Sequence, residues 1–444
     1  MKKNLFIITL LFSCFLFSQT NKIISGPMIS YIDARSAQIW MLLEPEVKTV
    51  QLDVRNYDNT KFLNYEYEVQ NPYKFKNYIP VTIPLESLRP NTEFILNVYV
   101  DSVKYDKQFD LYTARPHLDD THFLIGGGLW KLDNESEVIF QSMKKMNSDF
   151  MIWMGNNIVS DLNESDMNFR NLVDQYVETR SNPSLNDFLQ STPQIATWGG
   201  VDFGKINGGI DWALKDSAFY AFDMFWPNSL RKTYNYTFWD YGVYQKYAYN
   251  DLDVFLLDAR FFREKKTDNS PSMLGDTQME RLFEEINKSG ATFTFIVSPT
   301  PFLFEGEESL LNYKDQFDHF MYRLKVSGAE GVILLSYQDL QNTEGNEWVK
   351  DKSKKDGLIQ KGYISANNTQ FKKYEKDPNW SDLRYWHPIY EFNFGQIAGL
   401  SQNFSRIKVE GESGKRVCII ETFNETGERL FIKRIHEDEL KFKP

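Results

Sequence analysis

The chain is poor in the two side chains that most often ligate transition metals. Its 444 residues include two cysteines and five histidines. Cys14 sits in an apolar N-terminal run, so cleavage beyond it would leave Cys418 alone and exclude an intramolecular disulfide. Cys418 lies in the strand-like run RVCIIETF and is expected to be a small buried hydrophobe rather than a reactive thiol. The histidines, His117, His122, His319, His387 and His436, are scattered. No two stand four residues apart, and no HExxH pattern occurs. A satisfied surface or core imidazole is the expected role of each. His122, near the first strand of the α/β region, and His387, in YWHPIYEFNFG, are the two placed to face a cleft. Long basic runs are also missing. With a net charge of −11, nucleic acid is excluded as the main partner, because phosphate backbones are bound by clustered Lys and Arg. Beyond the N-terminus no apolar stretch approaches the roughly 20 residues of a membrane span. Internal repeats and low-complexity tracts are absent.

What is present suits a large folded core. Hydrophobic residues make up 42% and charged residues 25%, an ordinary folding composition spread over two or three domains. Aromatics reach 16%, with 35 Phe and 24 Tyr, which points to strands and a large interior. The start, MKKNLFIITLLFSCFLFSQ, has two lysines, a short apolar run and then polar residues, the pattern of a signal peptide over residues 1–19. Export is therefore expected, to periplasm, outer-membrane surface or medium, with no transmembrane span after cleavage. A membrane anchor is the rival reading. Lipidation of Cys14 is a further alternative, opposed by the apolar FLF that follows it.

Residues 22–115 carry only strand signals. SAQIWMLL, VKTVQLDV and TEFILNVYV are rich in β-branched and aromatic residues and are separated by Pro, Asn and Asp. LRPNTEF, Leu88 to Phe94, resembles the Leu-x-Pro-x-Thr-x-Tyr turn of fibronectin type III-like sandwiches, with Phe94 where tyrosine is usual. The hydroxyl bond of a tyrosine corner would then be missing. ARPH, Ala114 to His117, reads as a linker. From Thr121 strands and helices alternate. THFLIGGG, DFMIWMG, PQIATW, VFLLDA, TFTFIVS and GVILLS are strand-like; SEVIFQSMKKM, SAFYAFDMFW and GDTQMERLFEEINKSG have helical spacing. Such alternation predicts an α/β domain with ligands at strand ends. From Arg406 strands return, and RVCIIETFN and RLFIKRIH form a hairpin pattern around ETGE.

Three stretches have the form of a strand running into a ligand-bearing loop: FMIWMGNN (Phe150–Asn157), WGGVDFGKIN (Trp198–Asn207) and GVILLSYQDLQ (Gly331–Gln341). Together with FLIGGG, STPQIAT, FDMFWPN and LLDARFFR, in this order, they resemble the PhoD-like alkaline phosphatase family, calcineurin-like metallophosphoesterases with a sandwich in front. The resemblance covers most of the chain. It implies a fibronectin III-like β-sandwich at 22–115, a layered α/β metallophosphatase-like domain at 121–405, and strands at 406–444 completing that domain. Family members use iron, calcium, zinc or manganese. The resemblance also shows what this chain lacks. Gly128 stands where the family's Gly-Ser-Cys has cysteine. Asn156, followed by Asn157, replaces the aspartate of Gly-Asp-Asn. Trp-Asp-Asp-His-Asp-Phe/Tyr-Gly has become Trp198-Gly199-Gly200-Val201-Asp202-Phe203-Gly204. Ser-Gly-Asp-Arg-His-His has become Ser336-Tyr337-Gln338-Asp339-Leu340-Gln341.

A two-metal phosphoesterase holds its cations about 3.5–4 Å apart and needs carboxylates to offset their charge. Asn156 offers a neutral oxygen, while Gly128, Gly199, Val201 and Leu340 offer no side-chain donor and Gln341 no imidazole. No high-affinity iron, zinc or manganese is expected at the family's usual place, and no cofactor. Gly199 and Gly200 would add backbone freedom or let a partner approach closely. Asp258, Arg260 and Arg263 match the family's Leu-Asp-x-Arg-x-x-Arg. One reading makes Asp202 and Asp258 loop-holding acceptors. The other gathers Asn157, Asp202, Asp258, Arg260, Arg263, Asp339 and His387 into a residual anion pocket, for which arginine's planar fork is suited. The expected function is a non-catalytic binding or assembly protein with a protein or glycan partner in the cell envelope. The alternatives are an active phosphomonoesterase or phosphodiesterase with a remodelled site, using Asp202, Asn156, Asp339 and His387, and a surface glycan-binding component.

Overall fold

The computed structural model describes residues 22–227, 242–304, 306–337, 349–355, 358–364, 370–376, 389–398 and 402–442. The expected signal segment 1–19 with Cys14, and Gln338, Asp339, Leu340, Gln341 and His387, lie outside the described residues.

Strands β1 (Ile23–Ile32), β2 (Ala37–Leu43), β3 (Thr49–Asn56), β4 (Lys61–Glu68), β5 (Ile79–Leu85), β6 (Glu93–Val100), β7 (Val103–Lys104) and β8 (Phe109–Tyr112) come first. They form two antiparallel sheets, one ordered β1-β2-β5, the other β4-β3-β6-β7 with β8 also on β6. In β5, IPVTIPL, the residues Ile79, Val81, Ile83 and Leu85 are buried while those between face outward, the period of a half-buried strand. Pro80 and Pro84 are tolerated there because β5 is an edge strand, paired only with β2, and needs no N–H on its free side. Ile39 and Ile83 of one sheet share an apolar core with Leu52 and Leu96 of the other.

The remainder alternates: β9 (Thr121–Leu129), α1 (Asn134–Lys145), β10 (Phe150–Met154), α2 (Phe169–Arg180), α3 (Pro183–Leu189), β11 (Gln194–Thr197), α4 (Lys215–Phe225), β12 (Gln245–Tyr249), β13 (Leu252–Leu256), α5 (Asp276–Ile286), β14 (Phe293–Ser298), α6 (Lys314–Val326) and β15 (Val332–Tyr337). Then come strands only: β16 (Val349–Lys355), β17 (Leu358–Ile364), β18 (Gln370–Lys376), β19 (Ile389–Phe394), β20 (Gln396–Ala398), β21 (Asn403–Glu410), β22 (Val417–Asn424) and β23 (Arg429–His436). One mixed sheet has the order β11-β10-β9-β21-β22-β23, with β20 on β9; the other runs β12-β13-β14-β15-β19-β18-β17-β16. Strand β21 begins at Asn403 and lies antiparallel on β9, so a division after Ser405 would cut a strand.

The parallel strands β9–β11 and β13–β15 are apolar runs because both of their faces are covered. In β10, Phe150, Ile152 and Met154 enter the core between the two mixed sheets, while Met151 and Trp153 face a second core built with α1–α4. In β14, Phe293, Phe295 and Val297 point into the same inter-sheet core, and Ile296 faces α5 and α6. Phe123 and Phe295 meet edge to face across the sheets at 5.3 Å. The layers are thus helix, sheet, sheet, helix. The first strands join them through the Trp40 indole, which donates to the Met224 carbonyl at 2.7 Å, and through Asn186, whose amide oxygen accepts from the Gly26 N–H at 2.8 Å.

Candidate functional site

The carboxyl ends of β9, β10, β11 and β15 converge, and their loops interlock. The Gly128 N–H donates to the Gly155 carbonyl at 3.0 Å, and the Leu129 N–H to that of Asn156 at 2.7 Å. Asn156 has φ of 52°, a left-handed conformation that asparagine tolerates. Its amide oxygen accepts from the Val201 N–H at 3.1 Å. Position 199 lies directly against it: a Cβ there would stand 2.2 Å from Asn156 Oδ1 and 2.6 Å from Asn156 N. A Cβ on Gly155 would stand 2.7 Å from Gly199 N, and one on Gly128 would stand 2.2 Å from the Tyr337 hydroxyl. Glycine is required at 155 and 199 by close backbone approach and at 128 by the Tyr337 side chain, and at Gly128 and Gly155 also by positive φ.

Asp202 ties this cluster together. Its Oδ2 accepts from the Gly199 N–H at 2.8 Å, and its Oδ1 from the Asn157 N–H at 3.0 Å and from the Tyr176 hydroxyl of α2 at 3.3 Å. The Asn157 side-chain amide donates to the Thr197 carbonyl at 2.8 Å. Burial pushes the Asp202 carboxyl up to about 6, against the pull of the Gly199 and Asn157 N–H groups. Asp258 does similar work one step away. It accepts from the Trp198 indole at 2.8 Å and from the N–H groups of Arg260, Phe261 and Val243 at 2.7, 2.9 and 2.9 Å. Burial raises its pKa despite these donors.

Arg260 and Arg263 form a separate centre. Both buried guanidiniums pair with Glu308, Arg260 through both of its terminal nitrogens and Arg263 through Nη1 at 2.8 Å. Arg263 Nε also donates to the Tyr313 hydroxyl at 2.9 Å. Burial opposes ionisation of Glu308, yet the two arginine charges prevail and hold its carboxyl at about 2. The Arg260 guanidinium touches the first cluster, since a Cβ on Gly200 would stand 3.4 Å from its Nη2. Beside Arg263 and Tyr313 opens a cavity of about 350 Å³.

The expected pocket residues are therefore divided. Gly128, Asn156, Asn157, Gly199, Gly200, Val201 and Asp202 come together; Asp258 adjoins them through Trp198; Arg260 and Arg263 sit on Glu308. This arrangement does not fit a pair of metal ions. Both Asp202 oxygens face N–H donors, the Asn156 oxygen is bonded to Val201, and positions 128 and 199 have no room for a side chain. Among the described residues no three His, Cys, Asp or Glu side chains are grouped to hold a metal. His122 faces Glu410 at 3.2 Å, and His117, His319 and His436 are exposed. Sequence reasoning missed Tyr176, Glu308 and Tyr313. It also passed over Tyr337, although a bulky residue at a position where the resembled motif has glycine was a readable signal.

No protein-family profile matches the chain, and no curated protein sequence matches it. Among solved structures, a structure of PhoD superposes with a TM-score of 0.69 over 96% of this chain and 92% of its own, at 12% identity. GAP50, described as the anchor in the inner membrane complex of Plasmodium, aligns over 73% of this chain and 90% of its own, with TM-score 0.36 and 12% identity. The chain has a PhoD-like, phosphatase-like fold. At such low identity the likeness speaks to the fold alone, and function has to be argued from the site.

Proposed function

We propose that this chain is an exported PhoD-like homologue whose metal site has been filled by its own loops, and that it serves as a non-catalytic binding or assembly protein of the cell envelope. The observation that carries this reading is the contact of Gly199 with Asn156, where even a methyl group would stand 2.2 Å from an oxygen. A carboxylate ligand cannot be regained there without moving a loop. Export rests on the N-terminal lysines and apolar run. In front of the phosphatase-like layers we read residues 22–115 as a fibronectin III-like sandwich, a reading supported by the two antiparallel sheets. The test is hydrolysis of a phosphomonoester and a phosphodiester by the purified protein, with iron, zinc, manganese or calcium added. The reading expects turnover no faster than a buffer blank. Turnover that a chelator abolishes would instead establish a phosphoesterase with a remodelled site.

A further inference from the structure

Arg263 is buried, 4% exposed at the side chain, yet its guanidinium is not fully engaged. Nε is bonded to Tyr313 and Nη1 to Glu308, while Nη2 has no acceptor among the described residues. Arg260 and Arg263, both buried, share the single carboxylate of half-buried Glu308, so the triad keeps one excess positive charge. Arg263 and Tyr313 line the cavity of about 350 Å³, with Lys265 and Lys266 on its rim. Lys265 is matched by Asp211 at 2.9 Å, but among the described residues Lys266 reaches only the Glu307 backbone carbonyl and no carboxylate. Glu264 and Glu307 also line the cavity, and each already accepts a hydrogen bond, from the Ser272 N–H at 2.8 Å and the Asn207 amide at 2.9 Å.

We propose that this cavity binds a small oxyanion, a phosphate or carboxylate group carried by a metabolite-sized ligand. The guanidinium supplies a planar, permanently charged donor fixed by its ion pair, the arrangement suited to such oxygens. Lys266 supplies a second charge at the rim. Among the described residues, the charges of Arg260, Arg263, Lys265 and Lys266 are matched one for one by Asp211, Glu264, Glu307 and Glu308. Recognition is therefore short-range, set by donors in contact, rather than by a steering field. The site lies outside the filled loop cluster, so it stands or falls independently of the non-catalytic reading.

The test is calorimetric titration of the full chain with inorganic phosphate and, separately, with citrate, which distinguishes the two sources of oxyanion. Saturable binding of at least one probe in the millimolar range is expected. Lys266→Gln, at an exposed position that leaves the fold intact, should weaken it about fivefold, the effect of one exposed charge pair. Arg263→Lys, which keeps the charge and loses the fork, should weaken it further. Absence of binding by both probes up to about 20 mM overturns the proposal. Binding that Lys266→Gln leaves unchanged also overturns it, by placing the anion elsewhere.

Discussion

At the scale of single residues, the proposal of a filled site rests on tight packing at a few loop glycines. Gly199 carries the clearest consequence. Gly199→Asp, which restores the residue type of the resembled motif, forces atoms into the space of Asn156. It should cost about 3 kcal/mol by overpacking and lower Tm in a thermal melt, without conferring metal binding. Gly290→Ala, where a Cβ meets nothing within 4 Å, is the matched control and should shift stability by less than about 0.5 kcal/mol. Asp202 makes a second prediction through pH. Its folded pKa of about 6 lies above the ordinary 3.8, so the folded state holds its proton more tightly than the unfolded state. The stability this contributes is fully present below pH 3.8 and is lost as pH rises through 6, by up to roughly 3 kcal/mol. Asp202→Asn cannot titrate. Urea melts of variant and parent should therefore shift in the variant's favour between pH 4 and 6, whatever fixed penalty the amide imposes. A constant difference across that window would mean that Asp202 is not the buried, proton-retaining group described.

At the scale of elements, α2 shows how the helical layer is fastened to the first strands. Arg180, at its C-terminal end, lies between the indoles of Trp40 on β2 and Trp226 after α4, 5.0 and 3.9 Å from the ring centres. Its Nη2 donates to the Phe225 carbonyl at 3.0 Å. Burial lowers its pKa to about 9, so the charge is held at a cost and the side chain acts largely as packing volume. Arg180→Ala should destabilise by about 3 kcal/mol in chemical denaturation, and Arg180→Met should recover most of that. Equal losses in the two variants would show that the charge, not the volume, matters. Elements such as β10 and β14 were legible in the sequence as short apolar runs, because a strand covered on both faces has no polar positions to break the pattern. The hairpin of β22 and β23 was legible through the polar ETGE between two apolar runs. The antiparallel strands β16 and β18, polar and lysine-rich, were not, since nothing in VKDKSKK or QFKKYEK alternates cleanly.

At the scale of the whole molecule, the ordered motifs pointed to a PhoD-like fold that a 12%-identical structure shares over 96% of the chain. That order was readable because the glycines and aromatics at the strand-to-loop junctions stand out in the sequence. What could not be read was how the loops would close. Glycine at 199 was readable as a position without a side-chain donor, but only the folded loops show that Asn156 lies against the space a Cβ there would take. The arginine centre was half legible: Arg260 and Arg263 stood in a motif, while Glu308, in EGEESL, carried no pattern to mark it. The first strands and the mixed sheets also share one continuous apolar cluster, with Tyr31 against Tyr247 at 5.4 Å. The most direct test of a filled site is the metal content of the purified protein by elemental mass spectrometry, after incubation with iron, zinc, manganese and calcium and removal of free ions. The account predicts far less than one metal per chain for each. One or two firmly held ions per chain would contradict it, and would mean that other ligands have replaced those the loops have lost.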